Sequence, residues 1–490
     1  MDIDIIVISS YTHRKKIREE LEGYKKDFVI LDLYDELKKA GLDVNAPFYR
    51  NAADTYENVI FYRNEYFVAN NAINLKNLIV AYLEIYDFIN FEKFAMEYVA
   101  SKYQDYQNIQ KAIDEIMLLM DCIKREIKKR TYRDIIILWN DQLDYNYLQY
   151  TPYMQEESKT SMFFENAYTM TPFTVPTFLE MFQGLICIED EIYYRPFPAI
   201  NSSNSKVIED LELSGYIFLY IGDEADASLF EKKYSVPHYT YNSSCIRCID
   251  LLQKLLDTDK PVCILLHALE ETHNPYLSGE LDCARDYEWS TFEGVSEEIA
   301  MEQRKKSAKY WDKQLEFYMG FMPDGCVKIF MSDHGARYNF QPLYKRTNYS
   351  YCIFYYWYRC TSMFSIYDFN KVIGCILSKS YNEDEIFSDY ILMQGVNIFN
   401  SVIISYYLEN DAEESSYGFR AIRTENELYV KLSSGKIYYY LLPDEEKNCI
   451  VHADKERIKW LDGLVGDRFD GLGEHEKAIE DFRKQFETHE

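Results

Sequence analysis

Positive charge is scarce in this sequence of 490 residues, where 53 lysines and arginines stand against 81 aspartates and glutamates and leave a net charge of −28. A chain this acidic repels nucleic acid and anionic lipid, which excludes polyanion binding as its main role. Glycine (18 residues) and proline (12 residues) are also few, so there is no room for long flexible linkers. The hydrophobic share of 47% then indicates a folded protein of about two to three domains.

Secretion and membrane signals are lacking as well. Residues 1–8 are acidic and apolar, without the positive charge that a signal peptide needs. The most apolar later stretch, residues 351–358, is much shorter than the roughly 20 residues of a membrane helix. The eleven cysteines include one Cys-x-x-Cys pair, Cys245 and Cys248, without the second pair that a zinc site would need. We therefore expect reduced thiols in a soluble, cytoplasmic protein with no transmembrane segment.

Apolar runs that alternate with helical patterns predict the fold class. Residues 133–139 form the continuous apolar run that is typical of a strand buried on both faces. Beyond it the patterns predict strands at 216–221, 261–267 and 326–331 and helices at 244–256 and 297–321. Such alternation favours an α/β protein with a largely parallel central sheet flanked by helices.

These patterns divide the chain into three regions. Residues 1–130 combine a Rossmann-like β-α-β unit with a helical accessory region, and residues 131–410 form the α/β domain expected to carry the chemistry. Residues 411–490 begin with a period-two pattern at 419–442, interrupted by a turn at 433–435. This predicts a C-terminal antiparallel hairpin followed by a helical tail.

Polar side chains stand where three of the predicted strands end, at the edge where the loops of a parallel sheet converge. Asp141 follows the first of these strands, His267 closes the second, and Asp333 with His334 follows the third. The carboxylates of Asp141 and Asp333 and the imidazole of His334 can together bind one divalent cation. Each residue alone has a structural alternative, because a strand-end aspartate commonly caps the next helix.

Short motifs stand in a definite order along the same region. Residues 135–148 read as a strand followed by Asp-Gln-Leu at Asp141. Thr174 opens a Thr-x-Pro-Thr motif, and Gly184 follows ten positions later. A His-x-Pro-Tyr motif begins at His273.

Further motifs complete the series. They are Ser-Asp-His-Gly at residues 332–335, a Lys-x-x-x-Tyr spacing from Lys345, and two hairpin segments at 420–424 and 439–448. In this order the motifs resemble the sulfatase branch of the alkaline phosphatase superfamily, over nearly all of residues 133–448. The resemblance implies a mixed, largely parallel central sheet flanked by helices, with a C-terminal antiparallel hairpin.

The resemblance also implies a nucleophile and a metal site. Thr174 falls on the nucleophile position, and Asp141, Asp333, His334 and Thr174 fall on the ligand positions of one divalent ion, which would be Mn, Mg, Ca or Zn. A bound cation polarises an ester oxygen and lowers the pKa of a nearby hydroxyl, which would make a threonine a usable nucleophile.

Four cationic or titratable residues would serve the substrate. Lys345 and Arg337 would neutralise the charge of the transferred group, and His267 or His273 would protonate the leaving oxygen. Lys345 has a structural alternative as a solvated surface charge.

Thr174 also has an alternative, since threonine is a common helix N-cap. Thr171 and Thr177 are rival hydroxyls close by.

Departures from the family pattern shape the function that we expect. Family sulfatases convert a cysteine or serine to formylglycine, and Thr174 cannot undergo that conversion. Phe178 and Asp144 stand where the family carries arginines, and Gln142 stands where some relatives carry a second metal-binding aspartate. One-metal chemistry with a covalent Thr174 intermediate fits these residues best.

The leading hypothesis is therefore a metal-dependent phosphotransferase or phosphodiester or phosphomonoester hydrolase. Its substrate would be a small-molecule, glycan-linked or lipid-linked phosphate ester. A sulfatase that works without formylglycine is the second hypothesis. A catalytically degenerate binding protein is the third, because the family arginines are lost.

Overall fold

The computed structural model describes residues 5–8, 28–33, 53–143, 145–192, 197–238, 243–269, 297–335, 352–354, 358–380, 386–395, 417–444 and 447–466, and single positions 17, 18, 21, 39, 272, 382, 469, 477 and 484. These residues contain the strands β1 (Ile5–Ile8), β2 (Val29–Asp32), β3 (Ile135–Asn140), β4 (Met162–Tyr168), β5 (Ile217–Asp223), β6 (Ser235–His238), β7 (Val262–Ala268), β8 (Val327–Met331), β9 (Cys352–Phe354), β10 (Tyr358–Ser365), β11 (Ile391–Gly395), β12 (Phe419–Arg423), β13 (Glu427–Leu432) and β14 (Ile437–Leu441). They also contain the helices α1 (Ala53–Val68), α2 (Ala72–Glu84), α3 (Phe88–Ala100), α4 (Tyr106–Lys128), α5 (Pro152–Lys159), α6 (Thr174–Gln183), α7 (Lys206–Leu213), α8 (Glu224–Ala227), α9 (Ser244–Asp257), α10 (Glu297–Met319), α11 (Phe369–Ser378) and α12 (Lys455–Val465).

One large sheet dominates the described part of the chain. Its strand order is β10-β4-β9-β8-β3-β7-β5-β6. All of its strands run parallel except β9, which is antiparallel to both β4 and β8. The predicted α/β class, with a mixed and largely parallel sheet flanked by helices, is confirmed.

Strand β3 lies in the middle of this sheet, between β8 and β7. Trp139 is level with Met331 of β8 on one side and with His267 of β7 on the other. Every residue of β3 is buried, and successive side chains enter two separate hydrophobic cores, one on each face of the sheet. This explains the uninterrupted apolar run, and it brings the carboxyl ends of β3, β7 and β8 to one edge.

The helices cover the sheet as two layers. Helices α6, α7 and α11 pack into the core on one face, and α9 and α10 pack into the core on the other. Cys245 and Cys248 lie on α9, and both side chains are fully buried in that second core. The Cys-x-x-Cys pair is therefore a packing feature of a helix.

The C-terminal region is an antiparallel sheet of order β11-β12-β13-β14. The predicted turn joins β13 to β14, and Gly435 adopts a φ of 83° there, a left-handed conformation that glycine tolerates without strain. The predicted hairpin is thus present, and β12 and β11 extend it.

The N-terminal region contains the predicted parallel strand pair β1 and β2. Helices α1 to α4 share a hydrophobic core of their own, and α4 also packs against the central domain through Met120 and Ile127. The domain boundaries at residues 130 and 410 stay predictions. Among the described residues, no helix combines the length and apolarity that a bilayer crossing requires.

Candidate metal and nucleophile site

Asp141 is the first residue after β3, at the carboxyl edge of the sheet. Its backbone N–H donates to the carbonyl of Ala268, the last residue of β7, over 3.0 Å. Gln142 then has a φ of 57°, which turns the chain sharply away from the strand. The Asp141 side chain is buried, so two neighbouring strands fix a carboxylate at this edge.

Asp333 and His334 follow β8 and are also buried. Asp333 Oδ1 accepts backbone hydrogen bonds from Gln142 (3.0 Å) and His334 (2.8 Å), which stabilise a negative charge in a buried place. His334 Nδ1 lies 2.9 Å from the carbonyl of Gly335 and donates to it, because a carbonyl can only accept. In the neutral ring the lone pair of Nε2 therefore points into the site.

Thr174 begins helix α6 and faces both of these strand ends. Its Oγ1 donates to Asp141 Oδ2 over 3.1 Å and lies 3.4 Å from His334 Nε2. The N-cap of α6 is Phe173, and no side chain caps this helix. The structure therefore does not use Thr174 as a cap.

The rival hydroxyls are placed differently. Thr171 and Thr177 are fully buried, and their hydroxyl oxygens lie 3.2 Å apart. Thr177 also donates to the carbonyl of Phe173 over 2.8 Å. The Thr171 and Thr177 hydroxyls thus contact each other, and Thr177 also bonds to the backbone of Phe173, whereas the Thr174 hydroxyl faces the carboxylates.

Asp141, Asp333 and His334 fit a divalent cation. Each offers one ligand atom, and these atoms lie within 4.8 Å of one another. Asp333 Oδ2 accepts no hydrogen bond from the described residues and lies 3.4 Å from His334 Nε2. Oxygen and imidazole donors in one buried cluster form a suitable donor set for Mn²⁺, Mg²⁺, Ca²⁺ or Zn²⁺.

His267 lies beside the cluster, within β7. The predicted strand ended at His267, but the structure extends it to Ala268 because Ala268 pairs with Asn140 of β3. The ring is fully buried, with Nε2 3.3 Å from Asp141 Oδ2 and Nδ1 2.8 Å from the hydroxyl of Tyr220. Burial lowers the pKa of His267. Both ring nitrogens are therefore engaged with side chains of the protein.

A second carboxylate also faces this ring. Asp226 Oδ2 lies 3.4 Å from His267 Nδ1, and burial raises the pKa of Asp226 to about 7, against the opposing charge effect of His267. The sequence interpretation did not include Tyr220 or Asp226. The polar cluster at residues 222–226, directly after the predicted strand 216–221, was the signal that could have identified this part of the edge.

Two departures from the family pattern have a structural explanation. Phe178 is fully buried and stacks on Trp139 with ring centroids 4.4 Å apart, so this position serves the core. Gln142 Oε1 accepts a hydrogen bond from Arg304 of α10 over 2.9 Å, which holds this side chain against a helix.

Three predicted site residues, His273, Arg337 and Lys345, lie outside the described residues. Their roles stay predictions. The structure therefore brings together Asp141, Thr174, Asp333 and His334, with His267 adjacent to Asp141.

No protein-family model matches the chain, and a comparison with curated proteins gives no match. Solved structures with a similar arrangement include a 2-O glycosaminoglycan sulfatase, with 14% identity, a TM-score of 0.48, and coverage of 72% of this chain and 92% of that chain. A protein in complex with its substrate D-glucosamine-2-N,6-O-disulfate has 12% identity, a TM-score of 0.47, and coverage of 72% and 99%. A member of the alkaline phosphatase superfamily from Vibrio parahaemolyticus has 16% identity, a TM-score of 0.44, and coverage of 72% and 88%.

Proposed function

We propose that the protein is a metal-dependent phosphotransferase or phosphate ester hydrolase in which Thr174 is the nucleophile. The observation that carries this proposal is the position of the Thr174 hydroxyl, 3.1 Å from Asp141 Oδ2 and 3.4 Å from His334 Nε2. A threonine that only began a helix would have no reason to face the two residues that, with Asp333, form the candidate metal cluster.

Asp141, Asp333 and His334, together with the hydroxyl of Thr174, would hold one divalent cation. When bound, the cation polarises an oxygen of the ester and lowers the pKa of the threonine hydroxyl. The protein itself supplies the fixed geometry. Three ligand residues sit on strand ends of one sheet, and the nucleophile sits on the first turn of a helix packed against that sheet.

The first step would form a bond between Thr174 Oγ and phosphorus and break the bond between phosphorus and the leaving oxygen. Asp141 Oδ2 already accepts the hydrogen bond of this hydroxyl and is placed to take its proton. The leaving oxygen takes up a proton from a general acid. In the second step, water or an acceptor hydroxyl attacks phosphorus and gives its proton to the deprotonated general acid. The bond between phosphorus and Thr174 Oγ breaks, and Asp141 returns the proton to the Thr174 hydroxyl.

The two candidate histidines, His267 and His273, differ in whether they can serve as the general acid. His267 Nε2 faces Asp141, and Nδ1 faces Tyr220 and Asp226, so neither nitrogen is available to a leaving group in this arrangement. We therefore assign His267 to holding Asp141 and keep His273 as the candidate acid. Lys345 and Arg337 remain the proposed donors to the charged ester, which could be a small molecule or linked to a glycan or lipid.

A screen of generic aryl esters tests the proposal. The purified protein would receive an aryl phosphate monoester, an aryl phosphate diester or an aryl sulfate, each with Mn²⁺, Mg²⁺, Ca²⁺ or Zn²⁺. We expect turnover of a phosphate ester that depends on one of these cations. An acid quench followed by peptide mass spectrometry should find phosphate on Thr174. Turnover of the sulfate alone would favour the sulfatase alternative, and turnover of none would favour a binding protein.

A further inference from the structure

The buried hydroxyl of Tyr220 reaches the candidate metal cluster through one intermediate, the imidazole of His267. The hydroxyl lies 2.8 Å from Nδ1, and Nε2 at the other end of the ring lies 3.3 Å from Asp141 Oδ2. Asp141 Oδ2 is in turn the atom to which Thr174 donates. Tyr220, His267, Asp141 and Thr174 thus form a continuous chain of contacts.

The backbone of β5 makes room for this contact. Tyr220 is fully buried, and its hydroxyl lies over Gly222 on the same face of the strand. A Cβ atom at position 222 would lie 2.3 Å from the Tyr220 hydroxyl and 2.9 Å from the Cβ of His267, closer than real Cβ contacts come. Glycine at this position is therefore what allows the tyrosine to reach the imidazole.

The carboxylates of Asp141 and Asp226 lie at opposite nitrogens of the His267 ring and favour different tautomers. An ionised Asp141 can only accept, so the Nε2 contact is a hydrogen bond only if Nε2 carries the proton. Nδ1 is then an acceptor, which suits a donating tyrosine hydroxyl at 2.8 Å. An ionised Asp226, 3.4 Å from the same nitrogen, would favour the opposite tautomer, with the proton on Nδ1 and a lone pair facing Asp141.

We propose that Tyr220 is a positioning residue whose hydroxyl keeps the imidazole proton of His267 on Nε2 and so orients Asp141 toward the cation and Thr174. This inference rests on the proposed function, in which Asp141 is a ligand. Neither Tyr220 nor His267 is one of the proposed ligands of the cation. They act through the carboxylate, as outer partners of metal ligands commonly do.

Three variants test the inference. Tyr220→Phe removes the hydroxyl and leaves Asp226 to select the tautomer. Adding Asp226→Asn replaces that carboxylate with an amide that can donate to Nδ1, which should restore the proton to Nε2. Tyr234→Phe is the matched control, because Tyr234 is buried in the same core and its hydroxyl bonds to Ser202 and Glu212.

The first readout is Mn²⁺ affinity, measured by calorimetry at pH 8 in the absence of substrate, where Asp226 with its pKa of about 7 is mostly ionised. We expect Tyr220→Phe to weaken Mn²⁺ binding about tenfold, the lower end of the usual effect of an outer partner. The double variant should recover most of the loss, and Tyr234→Phe should match wild type. A purely structural tyrosine would give no such rescue.

The second readout is the tautomer of His267 itself, from the ¹⁵N resonances of the imidazole in the metal-free protein, assigned with His267→Gln. We expect a proton on Nε2 in wild type and in the double variant, and on Nδ1 in Tyr220→Phe. An unchanged tautomer and unchanged Mn²⁺ affinity in Tyr220→Phe would overturn the inference, as would a loss that Asp226→Asn fails to rescue. Because neither readout uses a substrate, a failed ester screen would remove the proposed function and leave this test intact.

Discussion

Asp333 and Glu180 are both fully buried carboxyl groups, yet the protein surrounds them in opposite ways. Asp333 Oδ1 accepts backbone N–H groups from Gln142 and His334 at 3.0 and 2.8 Å. Neither oxygen of Glu180 accepts a hydrogen bond from the described residues. Burial, with a smaller effect from the charge of Glu189, raises the pKa of Glu180 well above its ordinary value.

This difference in hydrogen bonding distinguishes a carboxyl group suited to a binding site from one that belongs to the hydrophobic core. Hydrogen bonds from N–H donors offset the cost of burying a charge, so the surroundings of Asp333 suit a cation ligand. Glu180 has no such donors among the described residues and is suited to be neutral. The donors around a buried carboxyl group, more than its burial, therefore indicate what it can do.

Helix α6 connects the candidate site to the core, because Thr174 starts the helix and Glu180 lies in its buried stretch, residues 176–182. Single substitutions at Thr174, Phe178 and Glu180 of α6, and at Gly184 directly after it, test this difference. Their effects on turnover and on stability distinguish positions of this helix that serve the chemistry from positions that serve packing.

Thr174→Ala should have the largest effect. Turnover of the ester found in the screen should fall by about a thousandfold or more, because a covalent nucleophile acts on the transition state. Substrate binding and thermal stability should be nearly unchanged. Thr177→Val is the control, since the Thr177 hydroxyl bonds to a backbone carbonyl, and it should keep turnover near the wild-type level. Near wild-type turnover in Thr174→Ala would rule out covalent catalysis at this residue.

Phe178→Arg restores the residue type that the family pattern carries at this position, and we expect it to unfold the protein rather than improve it. Phe178 is fully buried and stacks on Trp139, so a guanidinium would replace a packed ring with an unpaired buried charge. The expected loss is about 4 kcal/mol or more, measured by denaturant unfolding. Phe178→Leu should cost much less. A stable Phe178→Arg protein with higher turnover would place this position in the site.

Glu180→Gln should change the pH dependence of stability and leave turnover and metal affinity alone. A carboxyl group with a raised folded pKa contributes stability below its unfolded pKa, near 4.5, and that contribution is lost as pH rises through the folded pKa. The free energy of unfolding changes by about 1.4 kcal/mol for each tenfold difference in proton affinity between the folded and unfolded states. The melting temperature of wild type should therefore fall relative to that of Glu180→Gln between about pH 5 and pH 8. If the melting temperatures of wild type and Glu180→Gln changed in parallel with pH, Glu180 would not be held neutral in the folded protein.

Gly184→Ala should have the smallest effect. Gly184 ends α6 with a φ of 66°, and its N–H donates to the carbonyl of Glu180 over 3.0 Å. An added Cβ would meet nothing closer than 3.6 Å, so the cost is that of the left-handed backbone, about 1 kcal/mol. Thermal melting should detect a shift of a few degrees with unchanged turnover. A large loss of turnover would assign Gly184, the glycine that follows the Thr-x-Pro-Thr motif, to the chemistry.

Local patterns in the sequence were sufficient for the α/β class and for strands β3, β5, β7 and β8 of the large sheet, whereas the roles of the four candidate site residues stay predictions. The fully buried β3 shows as an apolar run, and Asp141, Asp333 and His334 stand directly after strands. The polar cluster after the predicted strand 216–221 marked this part of the edge, but the roles of Tyr220 and Asp226 depend on β5 lying beside β7, a pairing that no local pattern specifies. Strands β4, β6, β9, β10 and β11 were not predicted either. The burial of Phe178 likewise depends on a tertiary contact, its stacking on Trp139.

The central claim is that Asp141, Asp333, His334 and Thr174 form a site for one divalent cation, whereas the equally buried Glu180 belongs to the core. Mn²⁺ binding, measured by calorimetry in wild type, Asp333→Asn and Glu180→Gln, tests it most directly. We expect one ion per chain in wild type and in Glu180→Gln, and a loss of affinity of about a hundredfold or more in Asp333→Asn. Equal Mn²⁺ binding in Asp333→Asn and wild type would contradict it.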